Sequence, residues 1–286
     1  MIHTIDNIIL NSKHGKRFGA DARYIESPEK KPVIIFVHSF KGFKDWGHFN
    51  LMADHFAENG FVYIKLNLSH NGTSIENPTE FVDLEAFGTN NFSIELDDIG
   101  VLIDYLFEND CAIPKTEIDT NKIFLVGHSR GGGLVILKAN EDSRVKAIAT
   151  LASVSTLGSW PESTVKQWKK DGVYYVYNSR TGQNMPLYYQ LAEDVRKNNK
   201  RLDVPAAAKN MKQAMLIIHG SNDESVTVNA AYQLKKINPK AELFIIEDAS
   251  HTFGGHHPYN DDDLSEHSKM AIEKISEFFK CQKIRT

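Results

Sequence analysis

The stretch Ile123-Phe124-Leu125-Val126-Gly127-His128-Ser129-Arg130-Gly131 decides how this chain is read. Its four apolar residues form a strand buried on both faces, and a helix opens near Arg130. Between them sits Ser129, flanked at two residues' distance by Gly127 and Gly131. A serine hydroxyl is a poor nucleophile until it is exposed, oriented and relieved of its proton. A sharp strand-to-helix turn provides the exposure. It strains the backbone at the serine and crowds the positions two before and two after, where only glycine fits. The helix start also aims backbone N–H groups at the place where an oxyanion would form.

Outward from this turn, short β-rich runs alternate with helical patterns. Val33 to Val37 reads as a strand, followed by Phe49, Met52, Ala53 and Phe56 at helical spacing before Gly60. Phe61 to Leu66 is the next strand, and Ile99, Leu102, Ile103 and Leu106 mark a helical face. Further strands are expected at Ala147–Leu151, Met215–Ile218 and Leu243–Ile246, with a helix near 226–237. Ala271, Ile275, Phe278 and Phe279 give a last helix. Strands apolar on both faces and separated by helices predict an α/β fold: a mostly parallel twisted sheet with helices on both faces. Residues 3–10 and 17–25 read as an antiparallel hairpin feeding its edge.

The alternation breaks between Ser153 and Pro205, a stretch rich in aromatic side chains such as Trp160, Trp168, Tyr174 and Tyr189. No sheet strand is evident there, and an unstructured loop of that length is unusual in a compact domain. The expectation is a helical cap at 153–205 inserted into a core formed by 1–152 and 206–286. Its aromatics either stack on a bound acyl group or form the cap's own small core.

A nucleophilic serine needs a base and an orienting acid. Asp223 follows the strand 215–218 and His251 follows the strand 243–246. Both lie just past the carboxyl ends of parallel strands, the edge where open α/β sheets place their sites. His251 would take the proton from Ser129, and Asp223 would hold the imidazole in the right tautomer. Read alone, Asp223 could instead cap the helix near 226, and His251 could be a surface histidine. Their order and placement together favour the catalytic roles.

These residues make the chain resemble the α/β-hydrolases over roughly residues 20–280. The motifs that carry the resemblance are Gly127-His-Ser-Arg-Gly131, the run Gly220 to Val226 with Asp223, His251, His38-Ser39-Phe40-Lys41-Gly42 and Asn71-Gly72-Thr73-Ser74. The resemblance implies an oxyanion hole made by the N–H groups of Phe40 and Arg130. The chain departs from the pattern at Ser39, where the family commonly has glycine after the histidine. The run from His251 to Pro258 is similar to a loop of dienelactone-hydrolase and acylaminoacyl-peptidase relatives, and the chain also resembles cinnamoyl esterases.

Other chemistry is weaker. His251, His256 and His257 stand near Asp261, Asp262 and Asp263, but their spacing matches no zinc signature, so no metal site is expected. Lys41 and Lys44, near the oxyanion loop, could attract an acidic substrate but read more simply as solvated surface lysines. The net charge of −4 gives no electrostatic case for a nucleic-acid partner, and no apolar run reaches the roughly 18 residues of a membrane span. Two cysteines make no disulfide framework, and the first residues lack the layout of a signal peptide, so the expected compartment is the cytoplasm.

The sequence therefore predicts a serine hydrolase that cleaves a small-molecule carboxylic ester through an acyl-enzyme, with no cofactor. The acyl group is expected to be small or aromatic, as in a cinnamoyl-type ester. A histidine base must be neutral, so kcat/KM is expected to fall as pH drops through the imidazole range near about 6–7. One alternative is a peptidase on short or N-acylated peptides, stand-alone because only about 30 residues precede the first core strand. The other is a catalytically silent scaffold that binds a ligand under the cap.

Overall fold

The computed structural model describes residues 1–282. The chain opens with β1 (Ile2–Asn11) and β2 (Arg17–Ile25), then β3 (Lys31–Val37), α1 (Phe49–Glu58) and β4 (Val62–Leu66). Next come α2 (Leu84–Thr89), α3 (Phe92–Tyr105), β5 (Ile118–His128), α4 (Arg130–Glu141) and β6 (Val145–Leu151). Segment 153–205 carries α5 (Glu162–Asp171), β7 (Val173–Asn178), β8 (Gln183–Tyr188) and α6 (Gln190–Lys197). The chain then forms α7 (Val204–Asn210), β9 (Ala214–Gly220), α8 (Asn229–Ile237), β10 (Glu242–Ile246) and α9 (Glu266–Lys280).

Among the described residues eight strands form one sheet in the order β1-β2-β4-β3-β5-β6-β9-β10. From β4 to β10 every neighbouring pair is parallel, and β1 and β2 add an antiparallel edge. The period-2 geometry of a strand divides β3 between two cores. Val33, Ile35 and Val37 pack in the layer of Leu96, Ile99 and Leu134, contributed by α3 and α4. Ile34 and Phe36 pack in the opposite layer with Phe49, Phe56, Ile275 and Phe279, from α1 and α9. This is why both faces of the central strands read as apolar.

The strand order also fixes where the site lies. The chain moves from β3 to β4 on one side and then returns to place β5 on the other side of β3. The loops leaving β3 and β5 therefore diverge and leave a crevice at their carboxyl ends. Ser129 and the loop containing Phe40 lie at that crevice.

The segment 153–205 differs in one respect from a purely helical insertion. Residues 173–178 and 183–188 pair as an antiparallel hairpin, Val173 opposite Tyr188 through Asn178 opposite Gln183. The run Val-Tyr-Tyr-Val-Tyr has strong strand character, and the hairpin is anchored rather than free. Trp168 of α5 is buried, and its indole N–H donates to Leu187 O at 2.7 Å. Tyr188 lies against Gly88 of α2, where an added Cβ would sit 2.8 Å from its ring, and its hydroxyl donates to Glu85 at 2.6 Å.

Lys44 is not a solvated surface lysine. Its Nζ is buried and ion-paired with Asp21 and Asp45, and the same two carboxylates also hold the buried Lys65. Two cations and two anions then balance inside the fold, which is the condition for burying such groups. Lys41 stays partly exposed and its Nζ donates to Tyr177 O at 3.2 Å.

Candidate active site

Ser129 lies between the last residue of β5 and the first of α4 with φ 56° and ψ −115°, a left-handed conformation that a serine adopts only under constraint. Backbone bonds hold it there: Ser129 N–H donates to Leu151 O at 2.8 Å, and Gly132 N–H donates to Ser129 O at 3.0 Å. The flanking glycines are required by close approach. A Cβ on Gly127 would lie 2.2 Å from Gly131 O, and one on Gly131 would lie 2.3 Å from Val37 O at the end of β3.

Asp223 stands in the turn after β9 and accepts four hydrogen bonds. Oδ1 takes the N–H groups of Ser225 and Val226 at 2.9 and 2.8 Å. The helix α8 starts six residues later, at Asn229, so Asp223 closes a turn of its own and does not cap that helix. Oδ2 faces His251 Nδ1 at 2.8 Å and His219 Nε2 at 3.1 Å. Burial raises the carboxyl pKa, but the bonds from His219, His251 and Val226 outweigh it and hold the group well below the usual carboxylate range. A carboxylate on Nδ1 puts the ring proton there and leaves Nε2 as the basic nitrogen.

His219 is a residue the sequence reading missed. It is fully buried near the end of β9, and its Nε2 also lies 2.7 Å from Val226 O. A carbonyl can only accept, so Nε2 carries the proton and shares it between Val226 O and Asp223 Oδ2. His128 is the second such residue. Its Nε2–H donates to His251 O at 2.9 Å, and the two rings lie 4.9 Å apart. The residue before Ser129 therefore ties this turn to the loop that carries His251.

Asp223 and His251 are thus joined directly, and His128 links the His251 loop to Ser129. Among the described residues Ser129 Oγ makes no hydrogen bond; a nucleophile–base contact is often loose before substrate binds and tightens in the complex. Phe40 follows β3 and Arg130 opens α4, both beside Ser129 at the same crevice. Among the described residues neither backbone N–H is taken up by another group, which leaves both free to donate. The turn containing Phe40 is closed by Gly42 N–H to Ser39 O at 3.0 Å, with Lys41 at φ 56°. Behind it, the buried His38 bridges Ser39 O at 2.8 Å and Leu68 N at 3.2 Å, so serine at position 39 is held in a fixed loop.

The side chains of Phe40 and Arg130 also meet. The Arg130 guanidinium lies 4.3 Å from the centre of the Phe40 ring and 5.0 Å from that of Phe92, and its Nη1 donates to the buried Glu95 at 3.1 Å. Together these groups form one wall of a cleft of about 530 Å³ that opens over Ser129. Trp160, Tyr174, Leu187 and Leu191 from segment 153–205 line it from the other side. His257 has a separate role: its Nδ1 accepts the Gly47 N–H at 2.9 Å, and its ring lies against Phe43 and Trp46.

Residues 47–271 match Peptidase_S9, the prolyl oligopeptidase family. The chain belongs to that family. No curated protein matches it. Among solved structures, this family member is similar to Est1E from Butyrivibrio proteoclasticus with ferulic acid bound, at 19% identity over 96% of this chain and 98% of that one, with a TM-score of 0.69. It is similar to the α/β hydrolase GrgF from Penicillium sp. sh18, at 14% identity over 98% of each chain and a TM-score of 0.70. The esterase domain of a Rhodothermus marinus protein matches at 16% identity over 97% of each chain, with a TM-score of 0.63. The family match and the shared fold make the chain an α/β hydrolase. Among the described residues no helix is long and apolar enough to cross a membrane.

The buried histidines around this site have a consequence for stability. Burial pushes His38 and His48 down to about 4, and burial together with the neighbouring His251 pushes His128 down to about 3. The folded rings stay neutral at pH values where an unfolded histidine, at about 6.5, takes up a proton. Below about pH 6.5 the unfolded chain therefore binds more protons, and stability falls with falling pH at up to about 1.4 kcal/mol per pH unit for each such ring. The urea midpoint is expected to drop between about pH 7 and about pH 5, the three rings together outweighing the opposite pull of Asp98, whose carboxyl burial raises to about 6. An unchanged midpoint over that interval would show that these rings are not held neutral by the fold.

Proposed function

We propose that this chain is a serine hydrolase that cleaves carboxylic esters through an acyl-enzyme, with Ser129 as nucleophile, His251 as base and Asp223 as orienting acid. The observation that carries the reading is the hydrogen-bonded Asp223–His251 pair at the same sheet edge as a strained Ser129, beside two unused N–H groups. In the first step Ser129 Oγ bonds to the ester carbonyl carbon and its proton passes to His251 Nε2. The N–H groups of Phe40 and Arg130 hold the oxyanion. Collapse breaks the ester C–O bond, and His251 delivers the proton to the leaving alcohol. Water then repeats the sequence on the acyl-enzyme, releasing the acid and restoring Ser129.

In this reading residues 1–152 and 206–286 form the catalytic core and 153–205 is a cap whose side chains build the acyl pocket. The apolar and aromatic walls around Ser129 support small or aromatic acyl groups of the cinnamoyl type. Both cysteines, Cys111 and Cys281, are free, which fits a reducing cytoplasmic setting.

The family match favours a second reading, a stand-alone peptidase on short or N-acylated peptides. A panel of p-nitrophenyl esters and aminoacyl p-nitroanilides separates the two. The ester reading expects kcat/KM at least about a hundred-fold higher on the best ester than on the best anilide, beyond what the better leaving group alone supplies to a peptidase of similar site. Anilides turned over as fast as esters would move the peptidase to the front. Intact-mass analysis after a fluorophosphonate probe tests both against the silent scaffold: one adduct is expected on the wild-type chain, and none on a folded chain would leave only ligand binding.

A further inference from the structure

We propose that the side chain of Arg130 is a carboxylate anchor in the acyl pocket, so that the preferred acyl groups carry a negative charge away from the scissile carbonyl. The inference rests on the ester-hydrolase reading of the same cleft. Among the described residues Arg130 is the one charged side chain that lines it. Everything else there is apolar, aromatic or a small hydroxyl, so its guanidinium is the one group in the cleft wall built to bind an anion.

The guanidinium is held by three contacts that leave part of it unused. The rings of Phe40 and Phe92 pack against it, and Glu95 takes Nη1 at 3.1 Å. Asn90 Nδ2 donates to the same Glu95 oxygen at 2.8 Å, which fixes that carboxylate in turn. Among the described residues the Arg130 Nε and Nη2 have no partner, yet they are not sealed in the interior as Arg23 Nε is. Positioned, unpaired donors on a residue that lines a cleft are donors for a ligand. Their planar fork matches the two oxygens of a carboxylate in a way that a lysine ammonium does not.

Glu95 explains why a cation can stay in this apolar wall without an anion bound. It balances the charge, so attraction to a substrate arises from directed hydrogen bonds at short range and not from long-range steering. The chemical class that fits is the monoester of a dicarboxylic acid: an apolar spacer for the aromatic walls, a reacting carbonyl at Ser129 and a free carboxylate at Arg130.

The test uses 4-methylumbelliferyl monoesters of succinic, glutaric and adipic acid, each against its methyl-capped neutral counterpart, with 4-methylumbelliferyl butyrate as a plain ester. For the wild-type chain at least one monoester is expected to exceed its capped counterpart about ten-fold or more in kcat/KM, mainly through KM. In Arg130→Gln that ratio is expected to fall to about one, and Arg130→Lys is expected to lie between. A wild-type ratio at or below one for all three acids overturns the proposal, and so does a ratio that survives in Arg130→Gln. Turnover of the butyrate ester with no preference for any monoester leaves the hydrolase reading standing and removes the anchor alone. No turnover of any ester removes both. The wild-type comparison can overturn the proposal even if a variant does not fold.

Discussion

Replacing Ser129 with alanine is expected to lower kcat on any ester by roughly 10⁵-fold or more while leaving the fold intact. The two halves of this result come from different parts of the structure. Turnover is lost because no other hydroxyl occupies the turn between β5 and α4, and the proposed acyl-enzyme has no other attachment point. The fold persists because the bonds holding the strained turn are made by the backbone, with Ser129 N–H on Leu151 O and Ser129 O accepting from Gly132 and Val154. Ser129 Oγ itself makes no hydrogen bond among the described residues, so its removal strands no buried partner. The thermal midpoint is expected to move by no more than surface substitutions do, within about 0.5 kcal/mol. A fluorophosphonate adduct present on the wild type and absent on Ser129→Ala, with equal melting curves, is the expected pair of measurements. Labelling that persists in the variant would place the reactive group elsewhere.

The parts of the molecule that were legible in the sequence are those whose signal lies in adjacent residues. The strands at 33–37, 123–126 and 215–218 are short apolar runs, and burial of both faces removes any alternation that would confuse them with surface strands. Ser129, Asp223 and His251 were legible because each follows such a run directly, and a parallel sheet brings those loop positions to one edge. The hairpin of β7 and β8 was missed although Val173-Tyr-Tyr-Val-Tyr177 has strand character. Its aromatics fit an insertion core equally well, and with no long apolar run it did not look like part of the main sheet. His219 and Glu95 were hidden for another reason. Each sits inside an element whose periodicity concerns packing, and each acquires its partner only on folding, Asp223 four residues on across a turn in one case and Arg130 from a different helix in the other. A polar residue placed in a buried face was the one available signal, and His219 after Leu216-Ile217-Ile218 gave it.

Exchanging Asp223 for asparagine is expected to cost roughly 10⁴-fold in kcat, and the hydrogen bonds around it say why. The N–H groups of Ser225 and Val226 both point at Oδ1, so an asparagine must place its carbonyl oxygen there. Its NH₂ group then occupies the position of Oδ2, facing His251 Nδ1 and His219 Nε2. Against His251 this amide donates where the carboxylate accepts. The ring must then offer Nδ1 as a lone pair and carry its proton on Nε2, and a protonated Nε2 cannot take the proton of Ser129. Against His219 two donors meet, which is expected to lower stability by about 1–3 kcal/mol. Asp223→Ala separates tautomer from charge. It removes the carboxylate but imposes no proton position on His251, so its kcat is expected to equal or exceed that of Asp223→Asn despite the loss of every Asp223 hydrogen bond. Alanine markedly slower than asparagine, with both variants folded, would show that Asp223 acts by filling space and holding the turn, not by setting the histidine tautomer.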